Sequence, residues 1–332
     1  LTAREALWID EEQVAAHVTL AEAVPMVEHA LATQARGGLA SLVACRALQG
    51  DASLHTCGAI GSGFAGARSF VRAGRQPTPL LVLFDTEAGE FRAAIEASAL
   101  GELCSAAISS VATRWLAAPD AAELAILGDG SEALAQVAAV AHARRLRRVR
   151  VHHPDGERRR RFAAELRARL SREVVEAETI VDAVCGVPVV SVATSGIDLA
   201  PAAGSLAPGT QLLLAGEAGR TYCALGREIL SRADRIVVDD LRNAREGESE
   251  IRRLLGDDDA SWKRVEALGE VIAERRARTA SQRLVVFESL GSAVGELAIA
   301  VEVYHRVLRA GGGRTIPRPE PVRARLMPGA GD

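Results

Sequence analysis

Leu124-Ala125-Ile126-Leu127-Gly128-Asp129-Gly130-Ser131-Glu132-Ala133 reads as four residues of apolar strand running straight into a GxGxxA turn. The apolar positions of Leu134 to Ala143 then recur at helical spacing. In that context the first glycine makes the turn, the second lets a pyrophosphate approach the backbone, and the small third residue packs helix on strand. The opening of the helix offers free N–H groups to the phosphates. Gly128, Asp129, Gly130, Ser131 and Ala133 are therefore the candidate dinucleotide contacts, although Asp129 and Glu132 are unusual company for a diphosphate. An ordinary tight strand-to-helix turn fits the same letters. The order of strand, loop, helix and second strand favours the dinucleotide reading.

The second strand ends Val149-Arg150-Val151-His152-His153-Pro154-Asp155. His153 stands where an acid often meets the ribose hydroxyls of NAD, and Arg158-Arg159-Arg160-Arg161 follows. Arg158 is placed to accept a 2′-phosphate, so of NAD and NADP the second is slightly favoured, while a solvated helix face explains the same arginine run. Gly61-Ser62-Gly63-Phe64-Ala65-Gly66 matches GxGxxG by letter, yet no strand leads into it and no crossover helix follows. It is expected to be a glycine-rich bend between strands.

Working outward, strands are expected near 124–127, 148–152, 173–177, 187–192, 210–215 and 235–238, with helices between most of them, the alternation of a parallel sheet covered on both faces. Residues 11–35, 98–117, 266–273 and 293–308 have helical spacing, 39–95 has short β-like runs, and the tail after Gly311-Gly312-Gly313 is expected to be poorly ordered. The fold class is α/β: a Rossmann-type doubly wound parallel sheet domain over 118–292, plus an α+β domain from 1–117 with 293–332.

A length of 332 residues suits two domains. Net charge −3 argues against nucleic acid as a partner. The five cysteines form no metal-ligand spacing, so no metal is expected. No apolar run reaches membrane-spanning length, and the opening residues, with acids at 10, 11 and 12, do not read as an export signal; a cytoplasmic protein is expected. Among 40 basic residues only Lys263 is a lysine, so Schiff-base chemistry would have to use it.

The segments Leu83-Phe84-Asp85 through Gly89, Ile95 to Leu103, Val111 to Ala117, the Gly128 loop, Ala193-Thr194-Ser195, Val237-Val238-Asp239 and Phe287 to Gly291, in this order and spacing, resemble the ornithine cyclodeaminase/μ-crystallin family. The likeness is to its ketimine-reductase and alanine-dehydrogenase-like members in particular. It implies a substrate and dimerisation domain beside the Rossmann domain, a homodimer, an active site in the cleft, and hydride transfer between a nicotinamide and an imine or amino acid. It also implies that Thr194 and Ser195 approach the nicotinamide half.

At the expected catalytic positions the chain departs from the family. Arg68 replaces the family's lysine, Cys104 its carboxylate-gripping arginine, Ala218 a loop acid, Ala224-Leu225-Gly226 a Glu-Leu-Asp and Glu132 the phosphate-loop glutamine. Arginine keeps the charge but is a poor proton carrier at neutral pH. Ordinary ornithine cyclodeamination is disfavoured. Three readings remain. One is an imine reductase or amine dehydrogenase in which Arg68, helped by Arg72 or Arg75, anchors an anionic group and His55 or water handles the proton. Another is a repurposed biosynthetic enzyme in which Cys104 acts as nucleophile, its pKa lowered near Arg68, or the reaction is not redox; a small apolar filler between Leu103 and Ala106 explains the same cysteine. The third is a non-catalytic ligand-binding protein.

Overall fold

The computed structural model describes residues 5–74, 76–193, 197–215 and 225–319. Two eight-stranded sheets carry it. The first begins with β1 (Glu5–Ile9) and continues, after α1 (Glu11–His17) and α2 (Leu20–Ala35), through β2 (Leu39–Ser41), β3 (Cys45–Gln49), β4 (Ala52–Gly61), β5 (Phe64–Arg72), β6 (Leu80–Asp85) and β7 (Phe91–Glu96). The long helix α3 (Ser98–Leu116) crosses to the second sheet. There follow β8 (Glu123–Leu127), α4 (Gly130–Ala143), β9 (Arg148–His152), α5 (Gly156–Arg169), β10 (Glu173–Glu176), α6 (Ile180–Val184), β11 (Val189–Val192) and β12 (Thr210–Ala215). After these come α7 (Arg227–Arg232), β13 (Arg235–Val238), α8 (Leu241–Glu246), α9 (Glu250–Leu255), α10 (Asp259–Trp262), β14 (Val265–Ala267), α11 (Leu268–Ala273) and β15 (Leu284–Ser289). The helix α12 (Ala293–Arg309) returns to the first sheet, and β16 (Arg314–Pro317) pairs antiparallel with β1.

The second sheet runs β10-β9-β8-β11-β12-β15-β13-β14, parallel throughout. Its inner strands are buried on both faces, which is why Val189–Val192 and Arg235–Val238 show no alternation of polar and apolar residues. The chain starts mid-sheet at β8, moves outward to β10, then jumps back so that β11 lies against β8. Doubly wound sheets bind ligands at the carboxyl ends of the strands at such a reversal, and the Gly128 turn sits there.

All six strands expected in this sheet are present, whereas two others escaped the reading. Leu284–Ser289 is a central strand, buried at every position, so it carries no alternation to mark it. Val265–Ala267 is a short strand that takes Glu266 and Ala267 from the helix expected over 266–273, which begins only at Leu268. The helix expected over 11–35 is two helices: Val18 is extended, and Thr19 with Glu22 forms a capping box that starts α2. Contrary to the expectation of a poorly ordered tail, Arg314–Pro317 forms β16, for which β1 offers an edge to pair with. The Gly61–Gly66 run is the bend expected, a tight β4–β5 hairpin in which Ser62 and Gly63 have φ of 54° and 82°, but contrary to expectation a strand, β4, leads directly into it.

The two halves meet across close helix contacts. A Cβ on Gly269 of α11 would stand 2.4 Å from the Leu31 carbonyl of α2, so only glycine permits that approach. Where the chain passes from β15 back to α12, Asp239 grips it. The buried carboxylate accepts hydrogen bonds from Ser289 Oγ (2.7 Å), Leu290 N (3.0 Å), Gly291 N (2.9 Å) and Asp240 N (2.8 Å).

Burial pushes the Asp239 carboxyl up to about 7, against the pull of these donors, and does the same to Glu288, also to about 7. Glu288 is held by the backbone N–H groups of Glu250 and Ile251 at 2.6 and 3.1 Å. An acid whose pKa is raised on folding binds its proton more tightly in the native state, so its contribution to stability falls as pH rises from about 4 towards about 7. The variant Glu288→Gln is therefore expected to show a flatter dependence of thermal midpoint on pH between those limits than the wild type. The slope measured by calorimetry, not the midpoint itself, is the readout.

Candidate active site

Gly128 and Gly130 have φ of 137° and 82°, backbone conformations that L side chains resist, which fixes both positions as glycine. Nothing lies within 4 Å of the place a Cβ on Gly130 would take, so the turn is open on that face. Ala133 is fully buried under the helix. Asp129 occupies the N-cap position of α4, a place where an aspartate ordinarily satisfies the first free N–H groups. Its carboxylate makes no cap. Instead it accepts a two-pronged bond from Arg158, Nε at 2.9 Å and Nη2 at 2.6 Å, with Arg161 Nη2 at 3.8 Å and His153 Nε2 at 3.7 Å. The N-cap side chain therefore makes no bond to the amino end of α4, which leaves that end to an anion.

His153 is buried and accepts the Asp155 N–H on Nδ1 at 3.0 Å, which places the ring's own hydrogen on Nε2, facing Asp129. Asp155 caps α5 through the N–H groups of Glu157 and Arg158. Thr194, Ser195, Arg75, Ala218 and Ala224 lie outside the described residues.

A cavity of about 390 Å³ opens between the amino ends of α3 and α4 and the face of β5, lined among others by Arg68, Arg72, Glu102, Ser131 and Glu132. A narrower one of about 60 Å³ continues over β4 towards α8, past His55, Cys57, Asp240 and Asn243. The two share Arg68, Leu290, Gly291 and Glu296. Strand register explains the wall: Cys57 pairs with Arg68, His55 with Phe70 and Ser53 with Arg72, so alternate residues all face inward. His55 is buried, stacks on Phe70 at 4.7 Å and meets Ser53 Oγ through Nε2 at 2.8 Å. The Arg68 and Arg72 guanidinium groups stand 5.3 and 5.9 Å from the same ring.

Glu296, in the first turn of α12, takes Arg68 Nε at 3.0 Å and the Cys57 thiol at 3.7 Å. Burial, reinforced by the Glu296 charge, pushes the Cys57 thiol up to about 12. Above Arg68 lies Gly101, where a Cβ would stand 3.0 Å from Nη1, so glycine leaves room for the guanidinium. On the far side of the narrow cavity Asp240 accepts Gln34 Nε2 and Ser41 Oγ at 2.8 and 2.7 Å, and Arg46 pairs with Glu248. These bonds tie the two sheets together along the cleft.

Cys104 is packed in a way that suits a small apolar filler better than a nucleophile. It is 2% exposed, its Sγ lies 3.7 Å from the Ser292 carbonyl, and a Cβ on Gly295 would come within 2.9 Å of it. Burial raises its pKa well above the usual thiol range, and Glu296 adds to that, outweighing Arg68. The thiol is held protonated, the reverse of what a nucleophile needs.

Two functional candidates were missed from sequence, Glu296 and the Asp239-Asp240 pair. Glu296 shares a helix face with the buried Ala300, Val303 and Val307, so an acid inside an apolar stripe was the available signal. Among the described residues no cluster suits a metal ion, and no helix is long and apolar enough to cross a membrane.

A family profile, that of the ornithine cyclodeaminase/mu-crystallin family, matches residues 7–311. The chain belongs to that family. It is 25% identical over 240 residues to the Delta(1)-pyrroline-2-carboxylate reductase of Bacillus cereus, covering 71% of this chain and 73% of that protein. It is 26% identical over 224 residues to the ketimine reductase mu-crystallin of Rattus norvegicus, covering 68% of each. An archaeal alanine dehydrogenase dimer with bound NAD superposes with a TM-score of 0.84 at 23% identity, over 94% of this chain and 99% of that one. This likeness supports the two-sheet fold.

With side chains only 11% and 6% exposed, Arg68 and Glu296 depend on each other. Glu296→Gln strands the arginine and is expected to cost about 3 kcal/mol in urea unfolding, while the double variant Arg68→Met with Glu296→Leu recovers most of it.

Proposed function

We propose that this chain is an NAD(P)-dependent oxidoreductase that reduces an imine or oxidises the corresponding amine of an amino-acid-like small molecule. The observation that carries the reading is the open amino end of α4, which faces the same cavity as Arg68. The residues present fit a dinucleotide: the turn leaves space at Gly130, and of the two acids beside it Asp129 is drawn off by Arg158, while Glu132 stays on the cavity wall. Gly128, Gly130 and Ser131 would hold the diphosphate, with Thr194 and Ser195 nearer the nicotinamide. A bound nicotinamide supplies or takes up hydride.

What the chain itself contributes is orientation and proton handling. Arg68, steadied by Glu296 and flanked by Arg72, orients an anionic substrate group. As the imine carbon gains hydride its nitrogen takes a proton, delivered by His55 or by water in the narrow cavity. With no lysine at this wall, positioning carries more of the rate than acid–base chemistry. The same reading makes 1–117 with 293–332 the substrate-binding and dimerisation domain, 118–292 the dinucleotide domain, and the working form a cytoplasmic homodimer. Leu54, Ile60 and Val71 of β4 and β5 are exposed on the sheet face away from the cleft, and Leu54 pairs directly with Val71. An apolar face of this kind suits a second copy of the chain.

Two outcomes are expected. Absorbance at 340 nm should fall when the protein is given reduced cofactor with a cyclic imine such as Delta(1)-pyrroline-2-carboxylate, and Arg68→Ala should lower that rate by at least about tenfold. If dinucleotide binds and no imine or keto acid with amine turns over, the chain is a ligand-binding protein instead. Sedimentation should give twice 35.0 kDa, and Leu54→Glu with Val71→Lys should halve it.

A further inference from the structure

The surroundings of Asp129 say which dinucleotide the site takes, an inference that rests on the nucleotide reading above. In a doubly wound sheet the adenosine ribose lies between the glycine turn and the end of the second strand. In this chain that place is bounded by Asp129 on the turn, by His153 just after β9, and by Arg158 and Arg161 on the first turns of α5. The end of β9 offers no acid to the ribose: His153 is buried, its Nδ1 is taken by the Asp155 N–H, and Asp155 is occupied as the cap of α5. The carboxylate present is that of Asp129. Its side chain is 5% exposed and three cationic or N–H groups from the β9 side point at it, at 2.6 to 3.8 Å.

We infer that Asp129, clamped by Arg158, is the specificity-determining group for the ribose, and that the pair selects NAD over NADP. A carboxylate oxygen accepts hydrogen bonds from ribose hydroxyls without losing its arginine, since each oxygen has more than one acceptor direction. A 2′-phosphate brings negative charge against that carboxylate and must compete with it for Arg158, whose Nε and Nη2 are both committed to Asp129. Arg158, the residue from which a 2′-phosphate contact was expected, thus acts as the counter-ion of an acid that has moved from the end of the second strand into the glycine turn. Its side chain is half exposed, so the discrimination is a moderate one.

The test is a fluorescence titration of the intact protein with NADH and with NADPH, without substrate, repeated on Asp129→Asn and Arg158→Ala whose circular dichroism and thermal midpoint match the wild type. Wild type is expected to bind NADH roughly tenfold or more tightly than NADPH, and Asp129→Asn to shift that ratio towards NADPH by roughly tenfold. Arg158→Ala should weaken NADPH no more than NADH. Tighter binding of NADPH by wild type, an unchanged ratio in Asp129→Asn, or selective loss of NADPH in Arg158→Ala would each overturn the inference and leave the nucleotide reading standing. Failure of both nucleotides to bind at millimolar concentration would remove both the inference and the nucleotide reading.

Discussion

The first turn of a helix carries N–H groups that must find partners, and at α4 the residue placed to satisfy them is drawn away. Asp129 stands at the N-cap with extended backbone and the right side chain, yet Arg158 holds its carboxylate on the β9 side. Two effects follow from this one diversion. The helix end stays available to an anion, and an acid that would repel a diphosphate is neutralised before one arrives. The glycines at 128 and 130 supply the backbone path, but the ion pair is what lets an acidic turn serve this purpose.

The remainder of the cleft follows the same logic of charge held in place by charge. Arg68 is fixed from below by Glu296, from the side by Phe70 and from above by the bare Cα of Gly101. An arginine in that setting is a rigid cation with no useful proton, unlike the lysine that the family places there. The cost of burying it falls on Glu296 and is offset only while the pair is intact. Burial, reinforced by the same carboxylate, pushes the neighbouring thiols of Cys57 and Cys104 above the usual thiol range.

The fold was legible from Leu124 to Ala133 outward because strand, turn and helix each carry their own local pattern there. Strands such as Leu284–Ser289 and Val265–Ala267 were not, since a strand buried on both faces or only three residues long shows no period. At the site, the glycine turn and Arg68 could be found by spacing and resemblance. The partners that decide what those residues do could not. Arg158 lies 29 residues from Asp129, and Glu296 meets Cys57 across 239 residues. Cys104 does lie on the cavity wall, as its position on the helix suggests, and only the return of α12 beside it, with Gly295 in contact, shows how closely its thiol is packed.

The passage from β15 to α12 has a mechanical side. Leu290 and Gly291 form part of the floor of both compartments, and both hang by their amide hydrogens from one carboxylate, Asp239. The two compartments thus share one short span of wall, and the bonds that fix its position for one fix it for the other.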